Sequence, residues 1–530
     1  MTQRLAGISY VLATVLAFPH PVADRVIDLG LVTAWIAPAC LLVALHGLAP
    51  RAALFRGFLL GLVAHAFVLH WIFVVTVTYG GAPVWAGFIT PALLATYPAA
   101  ATALFAAGAA FLAGRGRAGP VSLAVLWAVI DHARSFVFGG FPWATLGYGL
   151  HLDAPLLGWA SITGVYGLSA IAVAGSVSLL VGVRPFAGPR RPRVAAAGVA
   201  AVLALHAIGA WLAPPAAIGD SVRVAVLQGN IEQGVKWAPD FFERTLQIYE
   251  GLARDAAAEG AELIVLPETA IPGALTDPEL SARFAVLARQ TGARLVVGAA
   301  GVDWDETGTV PSVFDSAYLF SADGHISERY DKSHLVPFGE YLPLRPLLGR
   351  FIKALATGVT NRDLTPGGGP RAVESWGPPG EGQTLRLGVP ICYELLFPDL
   401  VRRMSKDGAQ LLLGITNDAW YGATGAPYQF LAMTAMRSAE TGTWTARAAN
   451  TGVSALIDER GRVRDRTGIF ERGYLVGDVP LRHPDQAPTF YAAHGDVFVA
   501  VCWGVLTIFT IARPTRDPRK TTEDGENPDE

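Results

Sequence analysis

Eight long apolar runs constrain the fold of this chain more than any other feature of its sequence. Seven of them precede Ala213 and alternate with short polar breaks, and the eighth lies near the C-terminus. Their approximate bounds are 6–19, 26–48, 53–78, 84–114, 121–137, 156–183, 194–212 and 489–511. Most reach the roughly 20 residues that a helix needs to cross a hydrocarbon core of about 30 Å. A soluble protein could not bury so many such runs, so we predict an α-helical membrane bundle of eight transmembrane helices.

The chain between the seventh and eighth runs has a different pattern, in which short apolar segments alternate with amphipathic helical segments. The apolar segments, which predict strands, are 222–227, 263–266, 294–298, 385–389 and 411–415. The helical segments include 241–259 and 278–291. Alternation of strand and helix predicts an α/β domain. The predicted parts are a membrane domain with seven helices (1–217), an α/β catalytic domain (218–488), a last transmembrane helix (489–512) and a polar tail (513–530).

Basic residues predict the orientation of the chain, because arginine and lysine favour cytoplasmic loops. They follow the second, fourth, sixth and eighth runs, in the segments 51–56, 115–117, 184–193 and 513–520. The connections 79–83 and 138–155 contain neither arginine nor lysine. We therefore predict a multi-pass membrane protein with a cytoplasmic tail. Its α/β domain is expected on the extracytoplasmic side, tethered to the membrane at both ends.

The sequence gives little indication of other kinds of partner. Three cysteines cannot form a secreted disulfide framework, and only Cys392 lies in a polar context. No basic run or aromatic ladder indicates nucleic acid. The histidines lack ligand spacing near Cys392, and the glycines at 367–369 lack the lysine of a phosphate loop. We expect no metal, no cofactor and no nucleic acid.

Three residues with chemical potential each follow a predicted strand. Glu268 follows LIVLP and Cys392 follows LGVPI, while Lys332 comes after a strand at 316–320 and a turn at 322–324. Active sites of α/β folds lie at the carboxyl ends of strands, and a thiol beside an acid and a cation suits covalent catalysis. Each residue taken alone has an ordinary alternative: a helix cap for Glu268, an exposed lysine for Lys332 and a buried apolar thiol for Cys392.

With their flanking segments, these residues resemble the nitrilase or carbon-nitrogen hydrolase superfamily, and within it the apolipoprotein N-acyltransferase family. The resemblance rests on HLVPFGEYLP (334–343), GVPICYELLFP (388–398), TNDAWYG (416–422) and ARAANTGVSALID (446–458). SFVFGGFPW (135–143) and GVYGLS (164–169) resemble that family's loops between membrane helices. The resemblance covers essentially the whole chain. It implies a four-layer α-β-β-α sandwich for the α/β domain. It also implies the bacterial cytoplasmic (inner) membrane, with this domain on the periplasmic side.

The resemblance implies a Glu268-Lys332-Cys392 triad that performs ping-pong acyl transfer. Cys392 takes an acyl chain from a membrane phospholipid, with phosphatidylethanolamine as the expected donor. The acceptor is the α-amino group of the diacylglyceryl N-terminal cysteine of an apolipoprotein. Glu268 is the expected base, and Lys332, assisted by backbone near Tyr393, is expected to stabilise the oxyanion.

Glu340 and Glu394 are implied to hold Lys332 charged and oriented. We expect the protein to act as a monomer.

Aromatic residues near the triad in sequence are candidates for lids. Trp237, Trp420 and Tyr421 could enter the lipid phase, because aromatic rings suit the membrane boundary. Ordinary core packing is the alternative for each. Two positions depart from the expected family pattern: Thr443 stands where a basic residue is expected, and Asp131 with His132 stands where a glutamate with an aromatic neighbour is expected.

Two other functions are considered. A membrane-anchored amidase or nitrilase would use the same triad on a small amide, release ammonia and tolerate loss of the membrane helices. A transporter would need paired ionisable residues inside the helices, and only Asp131, His132 and Arg134 cluster there.

Overall fold

The computed structural model describes residues 2–23, 25–183, 192–234, 239–305, 308, 311–345, 363–375 and 384–511. As far as Leu212, the described chain is mainly helical. Its α-helices are α1 Gln3–Leu16, α2 Gly30–Ala44, α3 Pro50–Val68, α4 Val84–Gly114, α5 Pro120–Ala133, α6 Ala154–Leu157, α7 Ala160–Val183 and α8 Pro192–Leu212. A small antiparallel ribbon, β1 His20–Val22 and β2 Arg25–Ile27, lies between α1 and α2.

The chain from Ser221 to Pro480 contains two six-stranded sheets. Their strands are β3 Ser221–Gln228, β4 Leu263–Val265, β5 Arg294–Trp304, β6 Pro311–Phe320, β7 Ile326–Asp331, β8 Ala372–Ser375, β9 Leu385–Gly388, β10 Leu411–Thr416, β11 Thr445–Ala449, β12 Ala455–Ile457, β13 Val463–Arg466 and β14 Gly473–Pro480. The first sheet has the order β14-β3-β4-β5-β6-β7, and the second has the order β13-β12-β11-β10-β9-β8. The five predicted strands are all present.

Helices cover the outer faces of both sheets. On the first sheet lie α9 Pro239–Ala258 and α10 Pro278–Thr291, the two predicted helices. On the second sheet lie α11 Pro398–Lys406 and α12 Ala426–Thr441. The inner faces of the sheets meet where β3 contacts β11. The domain is therefore layered as helix, sheet, sheet and helix, as the resemblance implied.

The chain then returns to apolar helix, with α13 Phe490–His494 followed by α14 Val497–Ile511. Four described helices are long and apolar enough to cross a membrane: Pro50–Val68, Val84–Gly114, Ala160–Val181 and Pro192–Leu212. Shorter apolar helices are Gly30–Ala44, Pro120–Ala133 and Val497–Ile511. Among the described residues, four of the eight predicted spans are therefore helices long enough to cross a membrane.

Several apolar runs are interrupted at places that their composition does not reveal. The third run continues after α3 as a π-helix, Val74–Tyr79. In α7, Gly164 has φ 64°, and a Cβ there would lie 2.7 Å from the ring of Tyr491. Only glycine fits such a backbone and such a close neighbour. Apolar composition reports burial in lipid or protein, but it does not report where the helix is broken.

Helix α12 joins the α/β domain to the membrane helices, and 15 of its 16 residues are buried. The Trp143 Nε1–H donates to Gln429 Oε1 at 2.7 Å, and the Val165 N–H donates to Glu440 Oε1 at 2.9 Å. Arg437 pairs with Glu440 at 2.9 Å. Because buried polar bonds have strict geometry, this interface fixes the α/β domain on the membrane helices.

Candidate active site

Glu268 lies just beyond β4, as predicted, and its carboxylate is buried. Its Oε1 accepts a hydrogen bond from Lys332 Nζ at 2.9 Å, and its Oε2 accepts one from the Asn417 N–H at 2.7 Å. Gly298 on β5 makes room for this turn, because a Cβ there would lie 2.1 Å from the Pro267 carbonyl oxygen. The hydrogen bonds show that Glu268 faces a shared pocket and does not cap a helix.

Lys332 follows β7 and is completely buried, so the alternative of an exposed lysine is wrong. Its ammonium group contacts three carboxylates: Glu340 at 2.6 Å, Glu268 at 2.9 Å and Asp315 at 3.3 Å. Its backbone N–H donates to the Asp315 carbonyl oxygen at 2.9 Å, which continues the pairing of β6 with β7. Both the main chain and the side chain of Lys332 are therefore held in place.

Cys392 begins a 3-10 turn, Cys392–Leu396, and is buried. Its φ of 45° lies in the left-handed region, which costs a non-glycine residue free energy and is concentrated at functional sites. The thiol interacts electrostatically with both Glu268 and Lys332. The structure thus brings together the three residues that the sequence analysis selected.

The environment sets the charges in this pocket. Burial acts to raise the pKa of Glu268, but the Lys332 charge and hydrogen bonds from Asp315, Lys332 and Cys392 outweigh it, and the pKa is lowered. Burial acts to lower the pKa of Lys332, but Glu268, Glu340 and Asp315 raise it well above its usual value. Burial and the Glu268 charge raise the pKa of the Cys392 thiol. At neutral pH the pocket therefore holds a carboxylate, an ammonium group and a protonated thiol, an arrangement in which Glu268 can take the thiol proton.

The two supporting glutamates act differently from each other. Glu340 contacts the Lys332 ammonium group, as the resemblance implied, and its Oε2 accepts from the Val336 N–H at 2.9 Å. Glu394 instead accepts from the Ser333 N–H at 2.7 Å and the Ile391 N–H at 2.9 Å. The Ser333 and Tyr330 hydroxyls also donate to this carboxylate. Among the described residues, Glu394 makes no ion pair with Lys332; it holds the backbone of Ser333, the residue that follows Lys332.

Sequence analysis missed Asp315, which lies on β6 and is buried. Carboxylate oxygens of Glu268, Asp315 and Glu340 lie within 4.8 Å of one another, and the Lys332 ammonium group lies among them. The available signal was an aspartate inside the otherwise apolar strand VFDSAYLF. An aspartate in a buried strand is rare unless it is paired.

The candidate lid residues have different surroundings. Trp237 lies outside the described residues. Trp420 is 38% exposed, and its ring lies edge-on to Tyr79 with 5.6 Å between centroids. Tyr421 is half-buried, and its ring lies edge-on to Trp71 with 4.9 Å between centroids.

The nucleophile turn is also attached to the membrane domain. The Tyr393 O–H donates to the Gly140 carbonyl oxygen at 3.1 Å, within the SFVFGGFPW segment. The residues that depart from the family pattern make other contacts: Asp131 accepts from Trp127 Nε1 at 2.9 Å, and Thr443 lies 3.3 Å from the Ser405 hydroxyl.

Two facing sheets with a buried acid, lysine and thiol at strand ends define a protein of the nitrilase-like class. The family model Carbon-nitrogen hydrolase matches residues 223–488, and the model Apolipoprotein N-acyltransferase N-terminal domain matches residues 12–178. Apolipoprotein N-acyltransferase of Geobacter metallireducens is 38% identical over 92% of this chain and 90% of its own length. The protein of that name from Azotobacter vinelandii is 34% identical, over 87% of each chain. The chain belongs to the apolipoprotein N-acyltransferase family.

Proposed function

We propose that this enzyme transfers an acyl chain from a membrane phospholipid to an apolipoprotein through a thioester on Cys392. Membership of the family makes lipoprotein N-acylation its activity. The observation that carries the proposed mechanism is the buried contact of Glu268 with Lys332 at 2.9 Å, beside a buried Cys392 thiol that interacts electrostatically with both. The pocket supplies a nucleophile, a base and a cation, which are the groups that acyl transfer needs.

In the first half-reaction the Cys392 sulfur attacks the carbonyl carbon of the sn-1 ester. Glu268 takes the thiol proton as the carbon-sulfur bond forms, and the Lys332 ammonium group stabilises the negative oxygen of the tetrahedral intermediate. The carbon-oxygen bond to glycerol then breaks, and Glu268 returns the proton to the leaving oxygen. The products are a lysophospholipid and the acyl thioester. Phosphatidylethanolamine is the donor that we propose.

In the second half-reaction the α-amino group of a diacylglyceryl N-terminal cysteine attacks the thioester carbon. A carbon-nitrogen bond forms, the carbon-sulfur bond breaks, and Glu268 moves the amine proton to the sulfur. The acceptor becomes an N-acylated lipoprotein and the thiol is regenerated. A pocket that excludes water favours this amine over hydrolysis, and the burial of Glu268, Lys332 and Cys392 supports such exclusion.

We further propose that all eight apolar runs cross the cytoplasmic membrane and that the catalytic domain (218–488) lies on its periplasmic side. The basic loops of the sequence support this orientation. The contact between Tyr393 and Gly140 supports a site close to the lipid, because it joins the nucleophile turn to the membrane domain (1–217). Since one chain supplies all three triad residues, we propose that it acts as a monomer.

The proposed function is tested with a labelled phospholipid and a synthetic diacylglyceryl peptide that has a free N-terminus. We expect the label to appear on the peptide as an alkali-stable amide. An amidase would instead release ammonia from a small amide and leave the peptide unlabelled. The relatives that match the membrane half as well as the catalytic half favour the acyltransferase.

Replacing Trp237 with alanine is expected to weaken acyl transfer while the protein still folds, because the aromatic ring is predicted to close the site at the lipid boundary. Turnover of purified enzyme with saturating donor measures the effect. Trp304→Ala is the matched control, since Trp304 is 62% exposed at the end of a strand. Equal turnover of Trp237→Ala and the wild type would count against the lid role.

A further inference from the structure

The pocket contains more acidic groups than its one lysine can neutralise. Glu268, Asp315 and Glu340 all contact the Lys332 ammonium group, and Glu268 and Asp315 are at most 5% exposed. Three ionised carboxylates and one ammonium group would give this buried site a net charge of about −2. Like charges at this separation disfavour full ionisation, so at least one acid is expected to hold a proton.

Hydrogen bonds indicate which acid holds that proton. Both oxygens of Glu268 accept hydrogen bonds, from Lys332 and from the Asn417 N–H. Both oxygens of Glu340 also accept hydrogen bonds, from Lys332 and from the Val336 N–H. Asp315 accepts only through Oδ2, at the longest of the three distances from Lys332. Its Oδ1 is buried and has no hydrogen-bond donor among the described residues.

We propose that Asp315 is a protonated positioning residue of the active site, whose Oδ1–H donates to the Glu268 carboxylate. This inference rests on the proposed function, because it assigns Glu268 the role of base. The bond holds Glu268 toward the thiol. The proton also keeps Asp315 neutral. Lys332 therefore binds Asp315 less strongly than it binds the two carboxylates, and it can exchange the Asp315 contact for the forming oxyanion.

Electrostatics agrees with this assignment. Burial and the Glu268 charge raise the pKa of Asp315 well above its usual value, Lys332 opposes the shift, and Glu340 adds to it. The same hydrogen bond helps to lower the pKa of Glu268. Glu268, Lys332 and Glu340 are the charged groups that face Asp315, and the Cys392 thiol completes the pocket.

The inference predicts a specific pH dependence of thioester formation. When Asp315 loses its proton at alkaline pH, a third carboxylate charge arises where the oxyanion must form, and the rate falls. Asp315→Asn offers the same donor and acceptor without a titrating proton. We expect its alkaline decline, normalised to its own maximum, to disappear or to move up by at least one pH unit. Single-turnover labelling of Cys392 from labelled phospholipid, at pH values from 6 to 10, measures this.

Two further variants separate positioning from structure. Asp315→Ala removes the donor to Glu268, and we expect thioester formation about tenfold slower than in the wild type at neutral pH, without the alkaline decline. Asp478→Asn is the matched control, because Asp478 is an exposed aspartate paired with Arg223. Its alkaline decline should coincide with that of the wild type.

Thermal unfolding provides a readout that does not require activity. An unfolded aspartate ionises near pH 3.9, about its usual value. Because the folded-state pKa is higher, ionisation favours the unfolded wild type increasingly as pH rises between the two pKa values. Asparagine lacks this penalty. The Tm of Asp315→Asn relative to wild type should therefore increase from acid to alkaline pH.

The outcomes distinguish this inference from the proposed function. Coincident alkaline declines in wild type and Asp315→Asn, with thioester formed by both, would overturn the role of Asp315 alone. Absence of a Cys392-dependent thioester in the wild type would overturn the proposed function. If Asp315→Asn does not fold, infrared spectroscopy of the wild type should show a neutral carboxylic acid whose carbonyl band disappears as the rate falls. No such band would contradict the inference.

Discussion

Replacing Glu268 with glutamine is expected to slow thioester formation by about 10² to 10⁴-fold, the usual contribution of a positioned general base. The glutamine amide has nearly the shape of the carboxylate but cannot take the thiol proton. Because burial raises the pKa of the Cys392 thiol, few thiolates exist without that base. Single-turnover labelling from phospholipid at neutral pH measures the rate.

The same substitution also has a structural cost. Both carboxylate oxygens of Glu268 accept hydrogen bonds, so the amide NH2 must face either the Lys332 ammonium group or the Asn417 N–H. This donor-donor contact is expected to cost about 1–3 kcal/mol of stability. Glu243→Gln is the matched control, since that exposed glutamate pairs with Arg283. A rate for Glu268→Gln within tenfold of the control would show that Glu268 is not the base.

Replacing Lys332 with methionine is expected to abolish acyl transfer and to destabilise the fold by about 3–5 kcal/mol. Methionine retains the apolar stem, but the buried acids Glu268 and Asp315 and the half-buried Glu340 lose their cation. Loss of one partner from a buried ion pair typically has this cost. The same change removes the cation proposed for the oxyanion, which is worth about 3–4 kcal/mol of transition-state stabilisation. Thermal unfolding and thioester labelling measure the two effects separately.

The pH dependence of this destabilisation has a definite sign. In the wild type the raised pKa of Lys332 keeps its contribution constant through neutral pH, and the contribution is lost only as pH rises through that raised value. In Lys332→Met, burial of Glu268 is no longer opposed by a charge, so its pKa rises and stability falls from acid to neutral pH. Lys406→Met, at the exposed end of α11, is the control. If the loss of stability in Lys332→Met did not depend on pH, it would not arise from the unpaired charge of Glu268.

The resemblance implied the triad, and each member lies beyond the end of a strand, where main-chain geometry brings distant segments together. Glu268 and Lys332 are 64 residues apart, yet their side chains meet at 2.9 Å. Asp315 was missed because it lies inside a strand, and only the pairing of β6 with β7 places it beside Lys332. Local patterns identify strand ends more readily than they identify neighbours across a sheet.

The role of Glu394 and the lengths of the membrane helices depended on details that residue types do not encode. Glu394 points to the Ser333 and Ile391 amides because of the 3-10 turn that Cys392 begins. Gly164 interrupts α7 because its backbone adopts a left-handed φ next to Tyr491. Glycine is common in apolar runs, so its presence alone did not predict a break.

The central claim is that Cys392 carries the acyl chain, and chemical trapping of the acyl-enzyme tests it most directly. Purified wild type is incubated with labelled phospholipid, denatured and treated with hydroxylamine at neutral pH. We predict label that survives denaturation, is released by hydroxylamine and is absent from Cys392→Ala, whereas Cys40→Ala retains it. Label that persists on folded Cys392→Ala, or a wild type that never acquires label while the acceptor peptide is acylated, would contradict the account.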